Sequence, residues 1–361
     1  MNVQGRPTRT IRVADDCWSV EIIDQTRLPH QFETVRITAL GQMAHAIEAM
    51  QVRGAPLIGV AACYGVALAL HADPAASIDG AISALSATRP TAVNLRSRLA
   101  ELRRVLEPLP ASRRADAAYQ HCERIAAEEI DISQQIGQHG LALIEQARAK
   151  RQGARVNVLT HCNAGWLATI DWGTALAPVY YAHRAGVPVH VWVDETRPRN
   201  QGHLTAWELA AEGVAHTVVV DNAGGHLMQR GQVDLCIVGT DRTTAAGDVC
   251  NKIGTYLKAL AAHDNGVPFY VALPSSSIDW TLTRGREEIP IEQRSEDEIH
   301  EVAGMAAGGR TVSVRVTPRE SAALNYAFDV TPARLVTGLI SERGVCPASP
   351  EGLRALYPER R

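Results

Sequence analysis

The chain has 361 residues, of which 46% are hydrophobic and 21% are charged, and these proportions are typical of a globular protein with room for two domains. A formal net charge of -3 at pH 7 provides no global positive field for a nucleic-acid backbone or an anionic membrane surface. The composition therefore excludes a broadly cationic binder of nucleic acid or lipid, and any anion must bind at a local site.

The residues from Met1 to Pro7 contain no apolar stretch, so no secretory signal is predicted and the protein is expected to be cytoplasmic. The seven cysteines are widely spaced without a Cys-x-x-Cys pair, which argues against a disulfide framework and a zinc site. Residues Gly54–Leu70 carry no charge but contain proline and glycine. This stretch predicts a buried helix rather than a membrane span.

The amino-terminal part predicts two short strands followed by helices rich in Ala and Leu. The predicted strands cover Ser19–Ile23 and Phe32–Ile37. The predicted helices cover Met43–Val52, Pro56–Leu70, Ile78–Ala87, Val93–Leu106 and a long stretch from Arg113 to Arg151 with a break near Ile130–Ile132. This pattern indicates a mainly helical domain with a small sheet at residues 1–130, and the long helix at 113–151 is its connector to the rest.

From Val156 the pattern changes to a regular alternation of apolar strands and helices, which predicts a parallel, Rossmann-like α/β catalytic domain at residues 131–361. The predicted strands cover Val156–Thr160, Val187–Val193, Thr217–Val220, Leu235–Val238 and Phe269–Leu273. The predicted helices cover Trp166–Ala185, Leu204–Glu212, Gly225–Arg230 and Lys252–His263. Neither Gly-x-Gly-x-x-Gly after a strand nor a P-loop motif occurs, which weakens a dinucleotide or nucleotide interpretation.

Polar residues follow each of these five predicted strands. They are Cys162, Asp194, Asp221, Asp241 and the run from Pro274 to Ser277. Because the carboxyl ends of parallel strands meet at one edge of a sheet, where open α/β sheets bind their ligands, Cys162 and Asp241 are expected to face a common cleft.

Cys162 lies in a turn that contains Asn163 and Gly165 and precedes a predicted helix. The positive end of a helix dipole would lower the pKa of this thiol and favour the reactive thiolate. A buried core thiol is the alternative, since that is the common fate of a free cysteine. His161 is adjacent, but neighbouring strand residues point to opposite faces, so it is not automatically a partner of the thiol.

Two loop-to-helix junctions carry an arginine. In Arg53-Gly54-Ala55-Pro56, the N–H groups of a helix start attract phosphate, the glycine permits close approach and the arginine supplies charge. In the segment that begins at Arg89, Thr91 is a reasonable N-cap for the next helix. A plain helix-entry turn is the alternative at both junctions.

Two polar loops add further candidates. The loop Asp194–Gly202 is rich in charge, and the amide of its Gln201 is suited to binding hydroxyl groups. The segment Gly239–Thr255 places Lys252 at a predicted helix start beside Asn251, an arrangement suited to clamping an anion. Alternatively, Asp241 and Asp248 could bind a metal ion. No His or Glu lies near them at ligand spacing to support this interpretation.

Taken together, these segments resemble the methylthioribose-1-phosphate isomerases of methionine salvage. The matching segments are Val52–Pro56, Arg89–Leu95, Thr160–Gly165, Asp194–Pro198, Gly239–Arg242, Gly247-Asp248 with Asn251–Thr255, and Phe328–Pro332. They run in the family's order from about residue 50 to 340, which is far more specific than any single motif. The superfamily also includes ribose-1,5-bisphosphate isomerases and regulatory subunits of a translation-initiation exchange factor.

The resemblance implies that Cys162 and Asp241 are the catalytic residues. By the same resemblance, the substrate contacts are Arg53, Gly54, Ala55, Arg89, Gln201, Asn251 and Lys252. It further implies a homodimer that binds a small sugar phosphate and needs no metal or organic cofactor. No nucleic-acid or membrane partner is expected.

The implied reaction converts 5-methylthio-α-D-ribose 1-phosphate to 5-methylthio-D-ribulose 1-phosphate. The C1 phosphate locks the sugar as a cyclic acetal ester, so ring opening needs an acid. Asp241, protonated with a raised pKa in a partly dry cleft, would donate to the ring oxygen. Cys162 would then move the C2 proton to C1 through an enediol, or position the sugar for a direct hydride shift, and the sequence favours neither route.

The related 5-deoxyribose 1-phosphate is a further expected substrate, because only the C5 substituent differs. Two other functions stay open. A ribose-1,5-bisphosphate isomerase would need a second cationic site, and a non-catalytic sugar-phosphate or nucleotide sensor would act through a protein partner. The presence of both Cys162 and Asp241 argues against the sensor.

Overall fold

The structure is a computed structural model that describes residues 1–89 and 92–360. The chain forms two compact units. Unit 1 consists of Met1–Ser133 with Trp166–Gly173, and unit 2 consists of Gln134–Gly165 with Thr174–Arg361. The return of Trp166–Gly173 to unit 1 has no counterpart in the sequence pattern. A boundary between independently folding domains at residues 130 and 131 stays a prediction.

Unit 1 combines two small sheets with a group of helices. Its strands are β1 (Asn2–Val3), β2 (Arg6–Pro7), β3 (Ile11–Val13), β4 (Val20–Ile23) and β5 (Thr34–Ile37). Its helices are α1 (Leu40–Glu48), α2 (Ala55–Ala72), α3 (Ile78–Thr88), α4 (Val93–Leu106) and the first part of α5 (Ala111–Lys150). The sheets are the antiparallel pair β1-β2 and the antiparallel order β3-β4-β5.

Helix α2 forms the core of unit 1 and packs against α1, α3 and α4. Among the described residues it is the one helix long and apolar enough to cross a membrane, and 78% of it is buried inside the protein. Each fully buried Leu or Val contributes about 1.5–3 kcal/mol through the hydrophobic effect. The predicted buried helix is therefore confirmed.

Helix α5 continues from unit 1 into unit 2 without the break predicted near Ile130–Ile132. Its inward-facing Ile125, Ile136 and Ile144 are completely buried. Burial of this face outweighs the weak helix propensity of β-branched residues, which explains why the predicted break is wrong.

Unit 2 contains the remaining strands and helices. The strands are β6 (Val156–Thr160), β7 (Val189–Asp194), β8 (Ala215–Val219), β9 (Leu235–Val238), β10 (Arg242–Thr244), β11 (Val249–Lys252), β12 (Phe269–Ala272), β13 (Ile278–Asp279), β14 (Glu301–Met305), β15 (Thr311–Arg315), β16 (Phe328–Thr331), β17 (Gly338–Ser341) and β18 (Gly344–Cys346). The helices are α6 (Ala177–Arg184), α7 (Gln201–Ala211), α8 (Ala223–Gln229), α9 (Thr255–Asp264), α10 (Gly285–Glu288), α11 (Asp297–His300) and α12 (Pro350–Leu356).

The main sheet of unit 2 has the order β18-β17-β12-β9-β6-β7-β8. Every pair in it is parallel except β17-β18 at the edge. All five residues of β6 are buried, as expected for a strand covered on both faces. The five predicted strands of this region are present, and the predicted α/β, Rossmann-like fold class is confirmed.

A second sheet of unit 2, in the order β13-β10-β11-β16, has no counterpart among the predicted elements. Strands β10 and β11 form an antiparallel hairpin directly after β9, within the polar segment predicted as a loop. An antiparallel ribbon of β14 and β15 was also not predicted.

Candidate active site

Cys162 and Asp241 follow neighbouring strands of the main sheet. Strand β6 pairs with β7 on one side and with β9 on the other, with Leu159 opposite Cys236. From β6 the chain builds the sheet outward through β7 and β8, and then returns to add β9 on the opposite side. The order of the strands therefore reverses between β6 and β9. This position is the topological switch point, where open α/β sheets bind ligands.

The backbone of Cys162 is held in a left-handed turn. Its φ is +68°, and its side chain is 8% exposed. The Cys162 N–H donates to Thr196 Oγ1 over 2.9 Å, and the Cys162 carbonyl accepts from Thr205 Oγ1 over 2.8 Å. Because non-glycine residues rarely adopt a positive φ, and such strain clusters at functional sites, this turn favours the functional interpretation of Cys162 over a core thiol.

The helix predicted to follow Cys162 is wrong over most of its length. Only a 3-10 turn at Trp166–Ala168 follows, and α6 begins at Ala177. Trp172 and Gly173 between them both have positive φ, at 66° and 83°. These two residues stop helix propagation, so the helix-dipole argument for a lowered thiol pKa does not hold.

Helix α7 anchors the turn of Cys162 through residues that the sequence analysis missed. Asn163 Nδ2 donates to Glu208 Oε1 over 2.8 Å, and the hydroxyl of Tyr180 donates to Glu208 Oε2 over 2.9 Å. A Cβ at Gly165 would lie 1.8 Å from Glu208 Oε2, so only glycine fits there. These anchors lie far from Cys162 in sequence and form no local motif.

Asp241 lies between β9 and β10. Its N–H donates to the carbonyl of Cys250 over 3.0 Å, which fixes the backbone, and its side chain is exposed. The exposed position of the Asp241 side chain differs from the partly dry cleft expected from the sequence. Burial raises the pKa of nearby Cys250 to about 12, with the charge of Asp241 acting in the same direction, so Cys250 stays a neutral thiol at neutral pH.

Gln201 is the first residue of α7 and is only 6% exposed. Its Oε1 has no hydrogen-bond partner within the described ranges, which is costly for a buried amide. A Cβ at Gly202 would lie 1.8 Å from the carbonyl of Asp194, so this glycine lets α7 begin directly against the end of β7. Gln201 therefore has spare hydrogen-bonding capacity beside the carboxyl edge of the main sheet.

Lys252 ends strand β11, so its predicted position at a helix start is wrong, and α9 begins at Thr255 instead. Gly254 at the N-cap has a φ of +100°, which ends the strand and starts the helix. Lys252 is buried, with its Nζ 4.6 Å from the centre of the Phe328 ring. Asn251 Nδ2 donates to Thr255 Oγ1 over 3.0 Å.

The other predicted substrate contacts lie in unit 1. Gly54, with a φ of +95°, is the N-cap of α2, and Ala55 and Pro56 open that helix as predicted. Arg53 and Arg89 are partly exposed, and Arg89 follows the last residue of α3. The predicted N-cap Thr91 lies outside the described residues. Unit 2 carries the other five predicted residues, Cys162, Gln201, Asp241, Asn251 and Lys252.

Two groups of acidic residues are candidates for binding a metal ion. The Asp248 carboxylate accepts the N–H groups of Gly285 and Ala333 over 3.0 and 2.9 Å, which gives it a structural role. His161, Asp194 and Asp221 place ligand atoms within 4.8 Å of one another. The ammonium of Lys258 lies 3.2 Å from Asp194 Oδ2, so a positive charge already pairs with one carboxylate of this group.

Comparison with known proteins gives consistent relatives. The profile of the initiation factor 2 subunit family matches residues 51–348. The methylthioribose-1-phosphate isomerase of Acidiphilium cryptum is 60% identical over all of this chain and 98% of its own length. The methylthioribose-1-phosphate isomerase of Methylobacterium nodulans is 62% identical over all of this chain and 99% of its own length.

Two solved structures extend this likeness. The 5-methylthioribose 1-phosphate isomerase of Pyrococcus horikoshii superposes with a TM-score of 0.85 at 37% identity, covering 98% of this chain and 97% of that one. The translation initiation factor eIF-2B subunit delta of A. fulgidus has a TM-score of 0.79 at 35% identity, covering 98% and 100%. This chain belongs to the initiation factor 2 subunit family and, within it, to the methylthioribose-1-phosphate isomerases.

Proposed function

We propose that this protein converts 5-methylthio-α-D-ribose 1-phosphate to 5-methylthio-D-ribulose 1-phosphate, a step of methionine salvage. The observation that carries the proposal is the full-length identity of about 60% to relatives with that name. The positions of Cys162 and Asp241 after the two strands that flank the switch point support it, because this is where an α/β sheet binds a small ligand.

In the proposed reaction Asp241 is the acid that opens the ring. It donates a proton to the ring oxygen, the C1–O bond to that oxygen breaks, and the phosphate stays on C1. Because Asp241 is exposed, the bound sugar itself must exclude water from this carboxyl group.

Cys162 acts on the C2 hydrogen. In one route its thiolate removes the C2 proton and returns it to C1 through an enediol, and Asp241 recovers its proton from the C2 hydroxyl. In the other route the hydrogen moves directly from C2 to C1 as a hydride, and Cys162 positions the sugar. Both routes conserve atoms and electrons, since aldose and ketose are isomers.

The remaining predicted residues are proposed to bind the substrate. Buried Lys252 and Asn251 suit the phosphate oxygens, and the spare oxygen of Gln201 suits a sugar hydroxyl. Arg53, Gly54, Ala55 and Arg89 are proposed as further contacts on the basis of the family resemblance. We also propose a cytoplasmic homodimer that accepts 5-deoxyribose 1-phosphate as a second substrate.

The test is an assay of the purified protein with methylthioribose 1-phosphate and, separately, ribose 1,5-bisphosphate, followed by phosphorus NMR. The proposal expects conversion of the first to its ketose phosphate and a much lower kcat/KM for the second. A preference for the bisphosphate would overturn the substrate assignment. Binding of methylthioribose 1-phosphate without turnover would indicate a sensor instead.

A further inference from the structure

His161, the residue before Cys162, lies in a polar network that the proposed reaction does not use. The ring is 1% exposed, with Nδ1 2.9 Å from Asp194 Oδ2 and Nε2 2.8 Å from the carbonyl oxygen of Ile253. Ile253 follows Lys252 directly. The ring therefore connects the segment of the proposed catalytic thiol to the segment of the proposed phosphate ligands.

Both ring nitrogens of His161 face oxygen acceptors. A backbone carbonyl can only accept, so Nε2 must carry a proton. Nδ1 faces the carboxyl group of Asp194, so the ring is hydrogen-bonded at both nitrogens.

Charged side chains surround the ring. Asp194 is fully buried, and its Oδ2 also accepts a contact from Lys258 Nζ at 3.2 Å. Asp221 Oδ1 lies 4.0 Å from His161 Nδ1, and the carboxylate of Asp329 holds the N–H of Gly254 over 2.7 Å. His161 is thus faced by Asp194 of β7, Asp221 after β8, Lys258 of α9 and Asp329 of β16.

The same network reaches the backbone of Cys162. Thr196 Oγ1 donates to the carbonyl of Asp194 over 3.0 Å and accepts the N–H of Cys162. A Cβ at Gly254 would lie 3.0 Å from His161 Cε1, so the glycine allows the His161 ring to pack closely against the Lys252–Gly254 segment. A change at His161 would therefore move both segments.

We propose that His161 is a positioning residue for the isomerisation, whose two ring nitrogens hold the Cys162 turn and the Lys252–Gly254 segment in a fixed relative position. The catalytic part of this inference rests on the proposed function. The hydrogen bonds of the ring do not, so the two can fail separately.

The first measurement is nitrogen-15 NMR of the histidine rings in the whole protein, assigned by comparison with His161→Gln. The expected result is a slowly exchanging proton on Nε2 of His161, because the carbonyl of Ile253 accepts it in the protein interior. A His161 ring without a proton on Nε2, or with one that exchanges as fast as that of an exposed histidine, would overturn the inference, whether or not the protein is an isomerase.

The second measurement is steady-state kinetics of His161→Gln. Glutamine can donate at only one end, so one charge-assisted hydrogen bond is lost, and kcat/KM should fall about 10- to 100-fold with kcat lower and KM higher. A purely structural role would lower the melting temperature and the active fraction while leaving KM unchanged. The matched control is His263→Gln at an exposed position on α9.

The variant Asp194→Asn separates the outcomes further. It replaces the carboxyl group that faces Nδ1, so kcat/KM should fall with kcat lower and KM higher, as for His161→Gln. Kinetics of either variant with kcat and KM within twofold of the parent would contradict the inference. If His161→Gln does not fold, the NMR result and the Asp194→Asn kinetics decide.

Discussion

Cys162 and Asp241 are held at the proposed site by different contacts. Cys162 is fixed by a left-handed turn and by hydroxyl groups on two other segments, whereas Asp241 is exposed and its backbone N–H donates to the carbonyl of Cys250. The residue types and their positions after strands could be predicted from the sequence. The positive φ at Cys162 could not, because it is imposed by Thr196 and Thr205, which are distant in the chain.

Replacement of Cys162 by serine should lower kcat/KM for methylthioribose 1-phosphate by about 10²- to 10⁴-fold, since a hydroxyl is a far weaker base than a thiolate. KM should change little, because the residues proposed to bind the phosphate are elsewhere. The control is Cys17→Ser, which alters an exposed cysteine that also has a positive φ, at 66°. Equal losses in both variants would argue for a fold defect rather than a chemical role.

Lys252 and Phe328 give a graded prediction for substrate binding. Lys252→Gln removes the charge proposed to bind phosphate and should raise KM about 10- to 100-fold. Phe328→Leu leaves the charge but removes the ring beneath it, and a cation–π contact of about 0.5–1 kcal/mol corresponds to a two- to fivefold rise in KM. Initial rates against substrate concentration measure both.

The control for Phe328→Leu is Tyr326→Leu, because Tyr326 is an exposed aromatic residue just before β16, the strand that begins at Phe328. The KM of this control variant should match that of the parent. A KM for Lys252→Gln within twofold of the parent would remove Lys252 from the proposed phosphate site.

At the scale of elements, strands made of apolar residues were predictable, and a buried strand that ends in polar residues was not. Strands β6 and β9 are apolar runs that stand out from their neighbours. Strand β11 ends in Asn251 and Lys252, which read as polar loop residues, although pairing with β16 and the Phe328 ring bury them. Its position in a strand depends on residues about 80 positions away, beyond any local pattern.

The start of α2 depends on Gly54. Alanine there would keep an unfavourable φ of +95°, and its Cβ would lie 2.1 Å from the carbonyl oxygen of Ala168. Gly54→Ala should therefore lower the stability of the protein by about 3 kcal/mol or more, measured by chemical denaturation.

The matched variant is Gly153→Ala, which has a similar φ of +86° but nothing within 4 Å of the added Cβ. It should cost only about 1–2 kcal/mol, the penalty of the left-handed backbone alone. Equal losses in the two variants would mean that the contact with Ala168 has no energetic importance.

Helix α11 carries an ion pair with a defined pH dependence. Burial raises the pKa of Glu298, but hydrogen bonds from Arg294 and Arg199 outweigh it and lower the pKa to about 2. A lowered pKa stabilises the folded state above the unfolded value of about 4.3, and this stabilisation is lost as the pH falls towards 2. Glu298→Gln should therefore lower the melting temperature at pH 7, and the difference should shrink between pH 4.3 and 2.

The control for this prediction is Glu287→Gln, because Glu287 pairs with Arg284 on the surface, where both side chains are more than half exposed. Exposed pairs contribute about 0–1 kcal/mol, so its melting temperature should stay close to that of the parent throughout. A difference for Glu298→Gln that persists unchanged at pH 2 would contradict the assigned ion pair.

At the scale of the whole molecule, the strand order of unit 2 explains why the chain places its chemistry where it does. The alternation of strands and helices predicted a parallel sheet, but it does not specify on which side of β6 the strand β9 adds. Nor does it predict that Trp166–Gly173 leaves unit 2 for unit 1. Both features arise from long-range packing, and the first creates the switch point between Cys162 and Asp241.

The ordered set of motifs identified the family from the sequence alone, and the full-length relatives confirm that assignment. The individual roles of Arg53, Arg89, Gln201 and the other proposed substrate contacts stay predictions.

The most direct test is a crystal structure of this protein with 5-methylthioribulose 1-phosphate bound. We expect the sulfur of Cys162 to lie in contact with C1 or C2 of the sugar, and the carboxylate of Asp241 to lie within hydrogen-bond reach, about 2.6–3.2 Å, of the oxygen on C2 or C4. A sugar phosphate bound elsewhere, or with either side chain pointing away from it, would contradict the proposed roles of both residues.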